Sequence, residues 1–291
     1  MAAAPSPHLP GHSRLPPELE LRIFEFAALS LPKSIPSLVR VAWRVKQWVE
    51  PLLYRTLVIT YSGGAIEGLP FCTMNELIGI IQTKSPAFLS NAVQNVMLDS
   101  VDRTFVRTVL SAFSGIKNLF LNVGTLQGAL DVQPLRHLYC ALHEVFDPSV
   151  NDPFTHRVFS NITHLELFGL PSEIADTDVP FASRVARLPH LTHFSLNRGP
   201  GIDCSVCVRV LTACKRLHVL VFLCEREKHA AAERAGLARD VRFVMLDLSD
   251  YETDWQWGIL TGNDYWARAE AFIAKRISGE IDRNTFFLEG G

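Results

Sequence analysis

A six-residue pattern, apolar-x-x-apolar-x-apolar, repeats seven times between Val93 and Leu246. Its apolar positions are Val93, Val96, Leu98; Ile116, Leu119, Leu121; Leu135, Leu138, Cys140; and Ile162, Leu165, Leu167. It continues as Leu191, Phe194, Leu196; Leu217, Leu220, Phe222; and Val241, Val244, Leu246, with starts 19 to 29 residues apart. The last two apolar positions of each unit stand two apart, so an extended chain sends both to one face. Between these strands, Phe105, Val109 and Phe113, or Val206, Val210 and Ala213, keep helical spacing. Upstream context repeats as well: Phe113-Ser114 and Phe159-Ser160 hold matching offsets before Ile116 and Ile162, and Cys214 holds the same offset before Leu217.

Strands alternating with helices at this spacing predict an α/β fold with a parallel sheet. No single unit buries its own apolar face, so neighbours must stack. The expected organisation is a disordered tail over 1–14, a helical segment over 15–57, an α/β array over 58–250 and a helical cap with tail over 251–291.

The headpiece begins at Leu15-Pro16-Pro17-Glu18-Leu19, where proline suits a helix's first turn and Glu18 suits its positive end. Leu19, Ile23, Phe26 and Ala27 form one apolar stripe; Leu38, Val41, Val45, Trp48 and Val49 form a second, expected to stop at Pro51. The stretch from Leu53 to Ile59 reads as a first strand. Thr73 and Glu76 predict a capping box for a helix that ends before Ser85-Pro86 and guards the first sheet edge. At the other end, Asn263 or Asp264 caps a helix in which Trp266, Ala269, Ile273 and Ile277 share a face, placed as a cap over the last strand.

One set of strand positions points away from the helices. Its first column is Asn95, Asn118, His137, His164, His193, Val219 and Phe243. Its second is Met97, Phe120, Tyr139, Glu166, Ser195, Val221 and Met245, and its third includes Phe168 and Asn197. If this face is open, Phe120, Tyr139 and Phe168 are aromatic anchors beside His164, Glu166 and His193, the composition of a protein-binding surface. The competing arrangement is that helices or loops cover it. Strands about 4.8 Å apart would bring His137, His164 and His193 into a ladder able to bind a metal or titrate near pH 6.5; a solvated polar column is the preferred reading.

Composition narrows the function. Net charge is −2, and Lys and Arg are scattered, which disfavours a nucleic-acid surface. The first fourteen residues lack the pattern of a signal peptide, and no apolar run is long enough to span a bilayer, so a cytoplasmic or nuclear protein is expected. The six cysteines sit mostly in apolar stretches and read as small buried hydrophobes. Cys204 and Cys207 have the spacing of half a zinc site, but no second ligand pair follows. No phosphate loop, nucleophile elbow or HExxH motif is present, and neither cofactor, metal nor catalytic residue is expected. His164, Glu166 and His193 are the one nucleus an enzyme could use.

The repeat resembles the leucine-rich-repeat family in a degenerate form; Cys214 to Phe222 is similar to its cysteine-containing variant. Leu15-Pro16-x-Glu18-Leu19-x-x-x-Ile23-Phe24 resembles the opening of an F-box, and Val41 to Leu57 its closing half, although Ala42 and Trp43 stand where F-boxes often carry cysteine and a basic residue. The whole is similar to the F-box-like proteins expanded in mushroom-forming fungi. The resemblance implies a non-catalytic adaptor, monomeric within a larger complex. Leu15, Pro16, Leu19, Ile23 and Val41 would bind an Skp1-like protein, and the repeats would choose a protein substrate for an Skp1–cullin–F-box ubiquitin ligase. The alternative is a stand-alone repeat scaffold with a vestigial F-box. Packing of Leu19, Ile23 and Phe24 all inward would favour the latter.

Overall fold

The computed structural model describes residues 15–60, 64–69, 72–122, 134–146, 152–169, 180–197, 203–247 and 250–289. The expected tail over 1–14 and the final two glycines lie outside them. The chain divides into two units, Met1–Leu53 and Tyr54–Gly291.

The first unit holds helices α1 (Pro17–Ser30), α2 (Ile35–Leu38) and α3 (Trp43–Leu53). Pro17 fills the first helical position, where its missing N–H removes no internal bond, and Glu18 and Glu20 meet the dipole's positive end. Ala28, Ile35, Val45 and Val49 make its small core, with Phe24, Trp48, Leu52 and Leu53 packed around them. The second stripe is therefore split over two helices. α3 also runs through Pro51 rather than stopping there: proline in the last turn forfeits one backbone bond, while Leu52 and Leu53 still reach the core.

The second unit is built on nine strands: β1 (Thr56–Thr60), β2 (Asn95–Asp99), β3 (Asn118–Asn122), β4 (His137–Cys140), β5 (His164–Phe168), β6 (His193–Asn197), β7 (Val219–Leu223), β8 (Phe243–Leu246) and β9 (Phe287–Leu288). They form one sheet in sequence order, every pair parallel. This is the α/β class that the periodicity predicts. The crossovers hold α4 (Met74–Thr83), α5 (Pro86–Ala92), α6 (Arg103–Ala112), α7 (Leu142–Val145), α8 (Phe181–Val185), α9 (Cys204–Ala213) and α10 (His229–Arg234). After β8 come α11 (Tyr251–Thr261) and α12 (Tyr265–Ser278). Thr73 and Glu76 form the capping box of α4, but that helix belongs to the β1–β2 crossover, so it is not an edge guard.

Register explains the repeat. Leu119, Leu138, Leu165, Phe194 and Leu220 align across β3 to β7, as do Leu121, Cys140, Leu167, Leu196 and Phe222 in the four pairs that join them. All ten are buried with Val109, Phe113, Phe159 and Val210 from the crossovers. Burying each such aliphatic or aromatic side chain stabilises by roughly 1.5–3 kcal/mol. A hydrogen-bond motif accompanies it. Two successive N–H groups donate to one carbonyl of the preceding unit: Lys117 and Asn118 to Gln94, Arg136 and His137 to Lys117, Thr163 and His164 to Arg136. Thr192 and His193 repeat it on Thr163, and His218 and Val219 on Thr192.

The last unit departs from the predicted register by one residue. Leu220 pairs with Phe243, not Val244, so Phe243 and Met245 join the helix-side core while Val244 and Leu246 face the other way. A one-residue slip exchanges the faces. All four positions are apolar and both faces are buried, so alternation carried no information there. β9 was not legible either: Phe286 is buried, and Phe287 and Leu288 extend the sheet.

Candidate partner-binding surfaces

Helix α1 is apolar on two sides. Its inward side supplies Phe24 and Ala28, and the Phe24 ring lies 6.4 Å from that of Trp48. Arg44 ties α3 to α1 through Glu20 with contacts of 2.9 and 3.2 Å. The outward side carries Leu19 and Ile23, each about half exposed (52% and 53%). Leu15, Pro16 and Val41 are exposed too. All five residues expected to meet an Skp1-like protein thus lie in solvent. Sequence reasoning did not single out Phe26, Leu29, Leu31 and Trp43 as surface residues, yet all four are exposed. Of the twelve large hydrophobics exposed among the described residues, eight lie between Leu15 and Trp43. Apolar residues on two sides of one helix were the available sign that its outer face is left uncovered.

The sheet face opposite the crossovers is not open. Helices α11 and α12 lie across it, which corrects the expectation of a cap over the last strand alone. Trp255 Nε1 donates to Asn118 Oδ1 on β3 (3.0 Å), Trp266 Nε1 to Tyr139 Oη on β4 (3.1 Å), and Tyr265 Oη to Glu166 Oε2 on β5 (2.7 Å). His193 Nε2 on β6 meets Glu270 Oε1 at 2.9 Å. Asp264 caps α12, and Asp254 on α11 accepts from Tyr265 N and pairs with Arg268. Trp266, Ala269 and Ile273 point inward as predicted, but Ile277 is exposed and Arg276 takes the buried place.

The proposed substrate-face residues follow from this. Phe120, Tyr139, Glu166 and His193 are buried beneath the two helices, not available as anchors. Phe168 is half-buried against Phe120 and Tyr251, and His164 is half-buried. Too many C-terminal aromatics needed an apolar partner, and the aromatic sheet face supplied it.

The histidine ladder forms. His137, His164 and His193 stack with ring centroids 4.0 Å apart at both steps, and Trp266 meets His164 and His193 edge-on. Stacked rings hold their nitrogens side by side instead of converging on a point. Among the described residues no group of three His, Cys, Asp or Glu side chains is arranged to hold a metal. Two of its members titrate well below pH 6.5. Burial and the neighbouring imidazoles lower His137 to about 4 and His164 to about 2. Burial also lowers His193, against the opposing pull of Glu270. His193 Nε2 lies 2.9 Å from that carboxylate and Nδ1 2.8 Å from the Thr192 hydroxyl, so both ring nitrogens are engaged.

Burial pushes Glu166 up to about 7. Its two oxygens accept from Tyr265 and from Asn197 Nδ2 (3.0 Å). Those bonds commit it to fixing α12 on the sheet, not to His164 or His193. Cys72, Cys140, Cys204, Cys207, Cys214 and Cys224 are all free and buried. No described helix is long and apolar enough to cross a membrane.

Fold and surfaces together define an α/β protein with a nine-stranded parallel sheet and a separate helical unit bearing an exposed apolar face. Compared with known proteins, the chain matches no family model and no curated protein.

Proposed function

We propose that this chain is a non-catalytic, protein-binding adaptor, with residues 15–57 as an F-box-like segment and the following repeats as a degenerate leucine-rich-repeat-like solenoid. In this reading the helical segment docks an Skp1-like subunit through Leu15, Pro16, Leu19, Ile23 and Val41. The second unit holds a protein substrate for a cullin-based ubiquitin ligase. The observation that carries it is the split character of α1: Phe24 packs inward, while Leu19 and Ile23 are exposed. A helix serving only as a cap has no use for an apolar outer face, which costs solubility and favours association. The in-register strands and their shared carbonyl motif support the repeat reading.

The test is co-purification with an Skp1-like protein, comparing the native chain with Ile23→Asp. Capture by the native chain and loss in the variant support the proposal. Failure of the native chain to associate removes the ligase role and leaves a stand-alone scaffold.

A further inference from the structure

The covered sheet face leaves the second unit's partner surface unassigned, and a groove on its helix side has the features of one. About 510 Å³ in volume, it lies between the end of α9, the turn after α10 and the turn that leads into β9. Lys215, Arg239, Arg242 and Arg283 line it against a single carboxylate, Asp240, which Arg242 already neutralises at 2.7 Å. Lys215, Arg239 and Arg283 are exposed at the rim. Val208 and Val241 are half-buried apolar residues between them. Three uncommitted cations around one groove are a marked local excess in a chain of net charge −2.

The walls are also held in place. Arg276, 1% exposed, donates to the carbonyls of Ala238 (3.0 Å), Val241 (3.0 Å) and Phe243 (2.8 Å), and twice to that of Arg283 (2.9 and 2.7 Å). It thus bolts the Ala238–Phe243 wall to the Arg283 wall. Arg242 secures the third by donating to the carbonyls of Leu211 (2.9 Å) and Cys214 (3.1 Å) at the end of α9. Two arginines therefore preorganise the backbone walls of the groove through their carbonyls, so little backbone ordering remains to be lost on binding.

We infer that this groove binds an acidic polypeptide segment in which carboxylates alternate with aliphatic side chains, the carboxylates meeting Lys215, Arg239 and Arg283 and the aliphatic groups Val208 and Val241. A single-stranded nucleic acid fits less well, because no aromatic side chain lines the groove for a base to stack on. The inference rests on the adaptor reading, for which it supplies the substrate surface.

The probe is a fluorescent peptide of repeated Glu-Glu-Leu, titrated into the full chain and read by anisotropy. A labelled Lys-Lys-Leu counterpart serves as the probe that should not bind, and an oligouridylate as competitor. Saturable binding of the acidic peptide is expected that weakens as salt rises, that oligouridylate does not displace, and that falls by roughly tenfold or more in Lys215→Glu/Arg239→Glu. Arg103→Glu, an exposed reversal on α6, leaves it unchanged. The single Arg239→Glu variant, about threefold weaker, serves where the double variant loses its native circular dichroism. Absence of saturable binding, equal loss in Arg103→Glu, or displacement by oligouridylate overturns the proposal. Ile23→Asp should bind the peptide normally, so failure of the groove and failure of Skp1 docking are read separately.

Discussion

Tyr265 donates its phenolic hydrogen to Glu166 across 2.7 Å, joining α12 to the fifth strand of a sheet 99 residues earlier in the chain. Glu166 is 1% exposed and Tyr265 2%. Tyr265→Phe leaves one carboxylate oxygen buried without its donor, and that loss costs about 1–3 kcal/mol. Urea unfolding should show the midpoint falling with an unchanged slope. An unchanged midpoint would mean that the helix is not fixed through this bond.

The pH dependence of stability separates Glu166 from the ladder. A carboxyl raised from 4.5 to about 7 on folding binds more protons in the native state between those values, so its contribution is lost as pH rises through that window. His137 and His164, lowered from 6.5 to about 4 and about 2, act oppositely: the unfolded chain takes up their protons first, so stability falls as pH drops below 6.5. From pH 6.5 to about pH 5 each histidine costs about 2 kcal/mol and Glu166 returns about 2. Glu166→Gln should therefore steepen the acid-side loss by about 2 kcal/mol, and His137→Asn should lessen it by about as much. Unfolding series at both pH values measure this.

Arg276→Lys removes the fork that reaches four carbonyls on the groove walls. Several buried carbonyls would lose their donors, with a cost of about 3 kcal/mol. Amide exchange should rise first at Phe287 and Leu288 and in the turn at Arg283. Uniform change across the sheet would contradict a local role.

Gly115 has no room for a side chain: a Cβ there would stand 1.7 Å from the carbonyl oxygen of Ser90. Because the obstacle is backbone, Gly115→Ala must separate two neighbouring crossovers, at about 3 kcal/mol. Thermal unfolding checks it. Gly79→Ala, with open space around its Cβ, is the matched control and should not destabilise.

The sequence and the structure agree across β2 to β6, where apolar inner positions stand beside polar ones such as Asn118, His137 and His164 and the strands pair in the expected register. The all-apolar β7 keeps that register as well. At Phe243–Leu246 every residue is apolar, and the register slipped by one. The cover over the sheet was foreshadowed by Trp255, Tyr265 and Trp266, but their partners, Asn118, Glu166 and Tyr139, lie 99 to 137 residues away, beyond any local pattern. Arg276 was invisible for the same reason. On an amphipathic helix it reads as a solvent residue, and only the carbonyls gathered by the fold make burial tolerable.

Calorimetric titration of an Skp1-like protein into the native chain, and into Ile23→Asp, tests the central claim most directly. Because Ile23 is exposed, the variant should keep the native thermal midpoint. A saturable 1:1 isotherm for the native chain, weakened by roughly tenfold or more in Ile23→Asp, is predicted. No heat of binding with the native chain, or equal affinity for the two, would contradict it.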